Sequence, residues 1–406
     1  MKKAMFAVVL LCSVFAGSAS AYDFVWTTPV PSSRALVTKK MNIDGYLPWS
    51  SGGSARAMGM GGAYTAVAND LGGSVEYNPA GLTQLGHVTI SALAIARRNT
   101  DLDASGKKTS KWKIVPTQAG AALRIGPVAV AVSRKQPETT SAFQKYSSVQ
   151  SNLYAPDGWR MSYTKFSDKL DTKDLDTMVL TGAIRVGKLS LGANYNSIKG
   201  DIVRTQRGRN DLRAGLTSNN YFNATEKVNF KGYTMDAGLI FDMGAFQVGA
   251  AAKNFKGSVD VKRDITWQDN FDVGAGNTWN WVSPSSREEI TKFAPTTTVG
   301  AALILGKILT LDVDYSTTKL EDSKRNQARV GAELAVIPGF LFARAGVKAD
   351  LKNKIEDQDN KTNEYFVGAG LKMLMLTVDA SASLASAKAG SAGDNMSGGV
   401  SATLKF

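Results

Sequence analysis

The stretch LTLDVDYS, residues 309–316, alternates without a break. Leu309, Leu311, Val313 and Tyr315 share one side, and Thr310, Asp312, Asp314 and Ser316 share the other. A helix would mix the two sets, whereas the period-two backbone of a strand keeps them apart. LSLGANYN, residues 189–196, repeats the scheme. So does the end of the chain, where Val400, Ala402, Leu404 and Phe406 alternate with Ser401, Thr403 and Lys405. These are strands that face two different environments.

Working outward, fourteen such segments follow: 87–99, 112–125, 127–137, 174–187, 188–203, 224–243, 244–262, 287–305, 307–319, 326–337, 338–351, 362–373, 374–388 and 396–406. Their connections alternate in length. Six are tight turns, at Ile125-Gly-Pro127, Gly187-Lys188, Met243-Gly-Ala245, Gly306-Lys307, Pro338-Gly339 and Lys372-Met-Leu374. The seven between them are longer, the largest near 138–173, 204–223 and 263–286. An even strand number with short turns on one rim and long loops on the other is the pattern of an outer-membrane barrel. A soluble sandwich also alternates, but has no reason to keep its short turns on one side. The expectation is an all-β fold, a transmembrane antiparallel barrel of fourteen strands.

The N-terminus agrees with export. Lys2 and Lys3 precede an apolar run over residues 4–16, and Ala19-Ser20-Ala21 follows as a small-x-small cleavage site. This is a secretory signal peptide, residues 1–21, with a mature chain expected from Tyr22. Cys12, the only cysteine, lies in the apolar run behind Leu11, where a lipoprotein signal would need a small residue. The mature chain therefore has no thiol for a disulfide or a cysteine metal site. No other stretch approaches eighteen consecutive apolar residues, so helices do not span a membrane. Among membrane folds a closed barrel remains, because it too satisfies every backbone group within lipid. The formal net charge of +13 favours an anionic partner, and in an envelope that means lipid phosphates rather than nucleic acid.

A fourteen-strand barrel is too wide for side chains alone to fill. Its inferred inward faces carry small residues, among them Gly120, Ala122, Ala129, Ala131, Gly192, Gly238, Gly249, Ala251, Gly300, Ala302, Gly331, Gly346 and Gly368. Arg185, Asp236, Asp312, Glu333, Arg344 and Asp379 are interspersed as lumen-facing charges. A smooth wall leaves room for a folded plug; the alternative is that small residues only ease strand curvature. An open ion-selective channel would instead show rings of long charged side chains.

The candidate plug precedes the first strand. Residues 54–82 read SARAMGMGGAYTAVANDLGGSVEYNPAGL. Gly59 and Gly61 hold the first two places of a dinucleotide fingerprint, but Tyr64 stands where the third glycine belongs, and no strand precedes. Gly59, Gly61 and Gly62 instead allow close backbone contact and positive φ. Residues 63–68 are expected to form one or two helical turns, and Asn78-Pro79-Ala80 to start another.

The run ARAMGMGGAYTAVAND ending in YNPAGL resembles the N-terminal segment of the FadL-type superfamily, the long-chain fatty-acid transporters of the outer membrane. Its wording is nearer to the PorV-like and spirochaete-type branches. The resemblance implies a fourteen-strand barrel with an N-terminal hatch of short helices and coil, in which Asn78, Pro79 and Ala80 take the place of the family's Asn-Pro-Ala motif. On this reading residues 22–86 are the hatch and residues 87–406 the barrel. Passive uptake of hydrophobic compounds follows, long-chain fatty acids by default, with hatch movement as the gate. A PorV-like scaffold or shuttle for protein export and a general diffusion porin stay open as alternatives.

Other chemistry is sparse. The single histidine, His87, lies at the start of the first strand, and there is no GxSxG or HExxH pattern, so no enzyme is expected. The acidic runs near 171–176 and 356–359 lack the spacing of a calcium loop, and neither metal nor cofactor is expected. Trp267, Phe271, Trp279 and Trp281 cluster in one long loop. They suggest either an interfacial aromatic girdle or an outer groove that collects an apolar ligand. Arg204, Arg207, Arg209 and Arg213 fit anionic headgroups or a solvated face. The terminal Phe406 resembles the signal read by the barrel assembly machinery. The expected partners are outer-membrane lipid, that machinery and a hydrophobic ligand, and the expected state is a monomer.

Overall fold

The computed structural model describes residues 23–28, 37–42, 52–102, 108–136, 153–154, 160–171, 175–212, 221–271, 277–282, 286–290, 295–306, 308–319, 324–351, 354–355, 358–359, 363–385 and 396–406. The expected signal peptide, residues 1–21, lies outside them, as do residues 22, 29–36 and 43–51 of the expected hatch.

Fourteen strands make a closed antiparallel barrel. They are β1 (Val88–Leu102), β2 (Lys108–Ile125), β3 (Val128–Lys135), β4 (Asp176–Val186), β5 (Leu189–Leu212), β6 (Tyr221–Asp242) and β7 (Phe246–Phe271). Then come β8 (Thr296–Leu305), β9 (Leu309–Lys319), β10 (Lys324–Ile337), β11 (Leu341–Asp350), β12 (Asn363–Met373), β13 (Leu376–Ala385) and β14 (Met396–Lys405). Each pairs with its sequence neighbour, and β14 closes the ring on β1 through the register Ser397↔Arg97 to Lys405↔Thr89. Closure removes the unpaired edges that an open sheet would leave in lipid.

The alternation of residues 309–316 decides inside and outside. Asp312 and Asp314 are fully buried, whereas Val313 and Tyr315 are about half exposed on the outer surface. The same exposed apolar band continues through Val130, Leu180, Val299, Val330 and Val367 on other strands. An apolar belt on this scale suits lipid rather than water. The six short turns share one rim, and each places one residue at positive φ: Gly126, Gly187, Gly244, Gly306, Gly339 and, as the exception, Leu374 at φ 50.

On the other rim the strands outgrow the barrel. β7 pairs with β8 only over Phe246 to Lys253. Above that, short strands Ser286–Ile290 and Asn277–Val282 take up its free edge. Likewise Arg160–Asp171 continues above β4 along β5. The expected segment 287–305 is thus two strands in one column. A separate hairpin joins Asp23–Thr28 to Val37–Asn42.

Inside the wall lie three short helical pieces: α1 (Ala55–Gly59), α2 (Leu71–Glu76) and a 3-10 helix, Pro79–Gln84. Residues 63–68, expected to be helical, are a turn closed by Ala68 N–H to Tyr64 O at 3.0 Å. Helix starts where a side chain caps it. Ser54 Oγ accepts from Ala57 N, Asp70 Oδ1 from Gly73 N, and Asn78 Oδ1 from Ala80 N.

Candidate functional site

Residues 54–85 are almost wholly buried although they belong to no sheet, because the barrel surrounds them. The small residues of the wall are what admit them. A Cβ on Gly192 would run into the backbone of Pro79, and one on Gly238 into the Asn78 side chain. On Gly249 it would meet Thr65 and Ala66, and on Gly331 or Gly346 the backbone of Met60. Gly59 and Gly368 stand face to face. These wall glycines all lie within about ten residues of the tight turns, so the plug occupies the tight-turn half of the lumen. On the plug side, Gly61 and Gly62 have φ of 67 and 72, and a Cβ on Gly61 would sit 2.9 Å from the Val347 nitrogen.

Asn78 ties three elements together. Besides capping its own turn, its Nδ2 donates to Thr65 O at 2.8 Å and to Leu239 O of β6 at 3.0 Å. Pro79 follows as the first residue of the 3-10 helix, where a missing N–H costs nothing. Ala80 is fully buried with Tyr64, Met60 and Ile240 in one apolar cluster.

Polar wall residues hold the plug from several sides. Asp314 Oδ2 accepts from Tyr64 N (2.9 Å), Thr65 N (3.1 Å) and Thr65 Oγ1 (2.7 Å). Arg56 of α1 forks onto Glu333 with Nε and Nη2 each at 2.7 Å, and Arg344 Nε reaches the same carboxylate at 2.6 Å. Such bidentate pairs are the strongest form of charge-assisted hydrogen bond. Elsewhere the polarity is reversed: Glu76 of α2 lies between Lys253 (2.7 Å) and Lys135 (3.4 Å). Burial alone would raise the Glu76 pKa, but Lys253 and then Lys135 outweigh it and leave it lowered. Burial pushes the Tyr64 phenol well above its ordinary value despite Arg56 nearby, so it stays protonated and donates to Asp70.

The six charges expected in the lumen all occur on the inner side of the strands, in different settings. Asp236 accepts from Asn194 (3.1 Å), Asn196 (2.9 Å) and the Asn254 N–H (2.9 Å), at a bulge between β6 and β7. Asp312 is buried, with its carboxylate against the backbone of Ala66 and Val67 in the plug. Glu333, Arg344 and Asp379 form one cluster. Arg185 sits at the tight-turn rim, partly exposed, 2.9 Å from Asp242. Missed in the sequence were Arg56, Glu76 and Asp314. Asp314 was legible, since it shares the inward face with Asp312.

The aromatic residues expected in one long loop stand instead on two paired strands, because β7 runs on past the barrel wall: Trp267 of β7 lies opposite Trp281, Asp269 opposite Trp279 and Phe271 opposite Asn277 in backbone register. The side chains of Trp267, Phe271, Trp279 and Trp281 lie outside the described residues, as do those of Arg204, Arg207 and Arg209 and the whole of Arg213. Phe406 is exposed, and its backbone exchanges hydrogen bonds with Val88, 2.9 and 3.2 Å. His87 is exposed at the rim. Among the described residues, no three His, Cys, Asp or Glu side chains gather as metal ligands would.

Wall and lumen together define the class: a fourteen-stranded antiparallel barrel of the outer-membrane kind, closed by its own N-terminal segment. The chain has the fold of the FadL-type channels. It is similar to CymD, a monoaromatic hydrocarbon channel, with a TM-score of 0.60 and 14% identity over 87% of this chain and 97% of that one. A Pseudomonas aeruginosa FadL homologue gives 0.58 and 14% over 87% and 98%. The Pseudomonas putida toluene transporter TodX gives 0.57 and 14% over 87% and 98%. No protein-family model matches the chain, and no curated protein matches it in sequence.

Proposed function

We propose that this protein is an outer-membrane channel for passive uptake of hydrophobic compounds, long-chain fatty acids being the first candidates. One observation carries the reading: an apolar-belted barrel whose lumen is closed by a segment of the same chain, seated against glycines of the wall. Solved structures of this fold include a monoaromatic hydrocarbon channel and a toluene transporter. In this reading Gly59, Gly61, Gly62, Asn78, Pro79 and Ala80 form the hinge and seat of a hatch. The paired strands bearing Trp267, Phe271, Trp279 and Trp281 collect the ligand outside, and the charged lumen residues hold the hatch shut. The protein acts as a monomer without catalysis, and Phe406 serves recognition by the assembly machinery.

The test is uptake of labelled oleate and of toluene by cells lacking their own channel. Expression is expected to raise uptake of at least one several-fold, and Trp279→Ala with Trp281→Ala to reduce it. Deleting residues 54–82 should raise ionic conductance in planar bilayers while the barrel still assembles. No gain for either compound would remove the uptake reading. An assembled deletion variant that stays closed would remove the hatch.

A further inference from the structure

The outer face of β5 and β6 changes character at one height. Ile198 and Phe230 are buried inside the barrel, so their neighbours Lys199 and Lys231 point outward, where both are exposed. The two lysines stand directly opposite each other in the antiparallel register. Like charges in that arrangement repel, and an anion between them removes the penalty.

The nearby carboxylates do not supply that anion. Asp176, opposite Lys199 on β4, is held by Arg134 through Nε (3.1 Å) and Nη2 (2.7 Å) and by Gln136 (2.8 Å). Asp201, the next outward residue of β5, takes Lys227 at 2.8 Å and Asn229 at 2.5 Å. Asp260 faces Lys231 from β7 in register, without an ion pair between them. Lys256, exposed on β7 opposite Met235, is a third lysine on this outer face. Among the described residues, Lys199, Lys231 and Lys256 have no ion pair.

Their height places them at a membrane surface. Lys199 lies ten residues past Leu189, the start of β5. At about 3.3 Å per residue and a tilt of about 40° it stands roughly 25 Å above the tight-turn rim, the height of the apolar band of such a barrel. Tyr195 and Tyr233, on the same face just below the lysine pair, stack with ring centres 5.4 Å apart. Paired tyrosines at that level mark the boundary between acyl chains and headgroups. Below them the exposed Met178, Leu180 and Leu191 continue the apolar belt.

We propose that this face is a binding site for the phosphate of a lipid in the leaflet on the long-loop side. The phosphate sits between Lys199 and Lys231, the headgroup covers the tyrosine pair beside Lys256, and the acyl chains run down the belt. Charge and continuity with the lipid-facing surface select a phospholipid over a free anion. The site lies outside the lumen, so it stands or falls apart from the channel reading.

The test uses the full chain in an uncharged detergent, titrated with diphosphoryl lipid A and with its dephosphorylated form, bound lipid being read by native mass spectrometry. The phosphorylated lipid should bind at least tenfold more tightly. Lys199→Gln with Lys231→Gln should weaken it tenfold or more, while the heat-dependent gel shift of a folded barrel is kept. Either single variant should weaken it severalfold, which keeps the test where the double variant does not assemble. Lys188→Gln, exposed at the opposite rim, should leave the affinity unchanged. Equal binding of the two lipid forms, unchanged affinity in the single variants, or an equal loss in Lys188→Gln would overturn the assignment. So would displacement of the lipid by millimolar inorganic phosphate, which would mark a site for the free anion.

Discussion

Glu76 is a carboxylate with 1% side-chain exposure, held by two lysines that keep some contact with solvent. Because its folded pKa is lowered, it contributes stability that is fully present above the ordinary carboxylate value. That contribution is lost as pH falls through the folded value. At pH 7, Glu76→Gln should destabilise the protein by about 2 kcal/mol, the scale of a charged hydrogen bond. Equilibrium unfolding should show the gap closing as pH falls below the ordinary carboxylate value and through the lowered folded one, where the wild-type acid becomes neutral; a gap constant with pH would refute the role of its charge. Tyr64 illustrates what was legible at this scale. In the sequence it only breaks a glycine fingerprint. In the fold it is fully buried, 5.9 Å edge-on from Tyr77, with the Arg56 guanidinium 5.6 Å from its ring centre. No local pattern could forecast partners that the barrel brings together.

Among elements, the strands and the helical turn that Asn78-Pro79 starts were readable, and the two α-helices were not. A strand of eleven residues such as β9 declares itself by alternation, since each residue meets lipid or lumen in turn. The helices have five and six residues, too few to show a period, and they depend on caps and on the surrounding wall. That is why a turn stands at 63–68, where helix was expected, and helix stands on either side. The meeting of these elements can be tested at the glycines. Gly346→Ala places a methyl group against the Met60–Gly61 backbone, whereas Gly182→Ala meets nothing within 4 Å. The first should cost about 1–3 kcal/mol of overpacking and the second well under that. Limited proteolysis should show the plug cut faster in Gly346→Ala alone. Equal protection in both variants would mean that the wall does not clamp the plug at that point.

For the molecule as a whole, the outer surface is fitted to a bilayer. Val313, in the middle of β9 and half exposed, should reject a charge: Val313→Lys is expected to cost about 2–4 kcal/mol if it lies near the midplane. Leu305→Lys, beside the tight turn, should cost less than about 1 kcal/mol. Reversible folding into lipid vesicles reads both, and equal costs would argue against a depth gradient along the strand. From the sequence alone came the strand number, the closed barrel, the inward and outward faces and the rim that carries the short turns. All of these are local, because a strand's alternation reports its two environments residue by residue. Only the tertiary structure decided where the plug sits, and that Arg56, Glu76 and Asp314 meet partners 277, 177 and 250 residues away. Those pairings depend on barrel closure, which brings distant strands around one lumen and leaves no trace in the spacing of neighbouring residues.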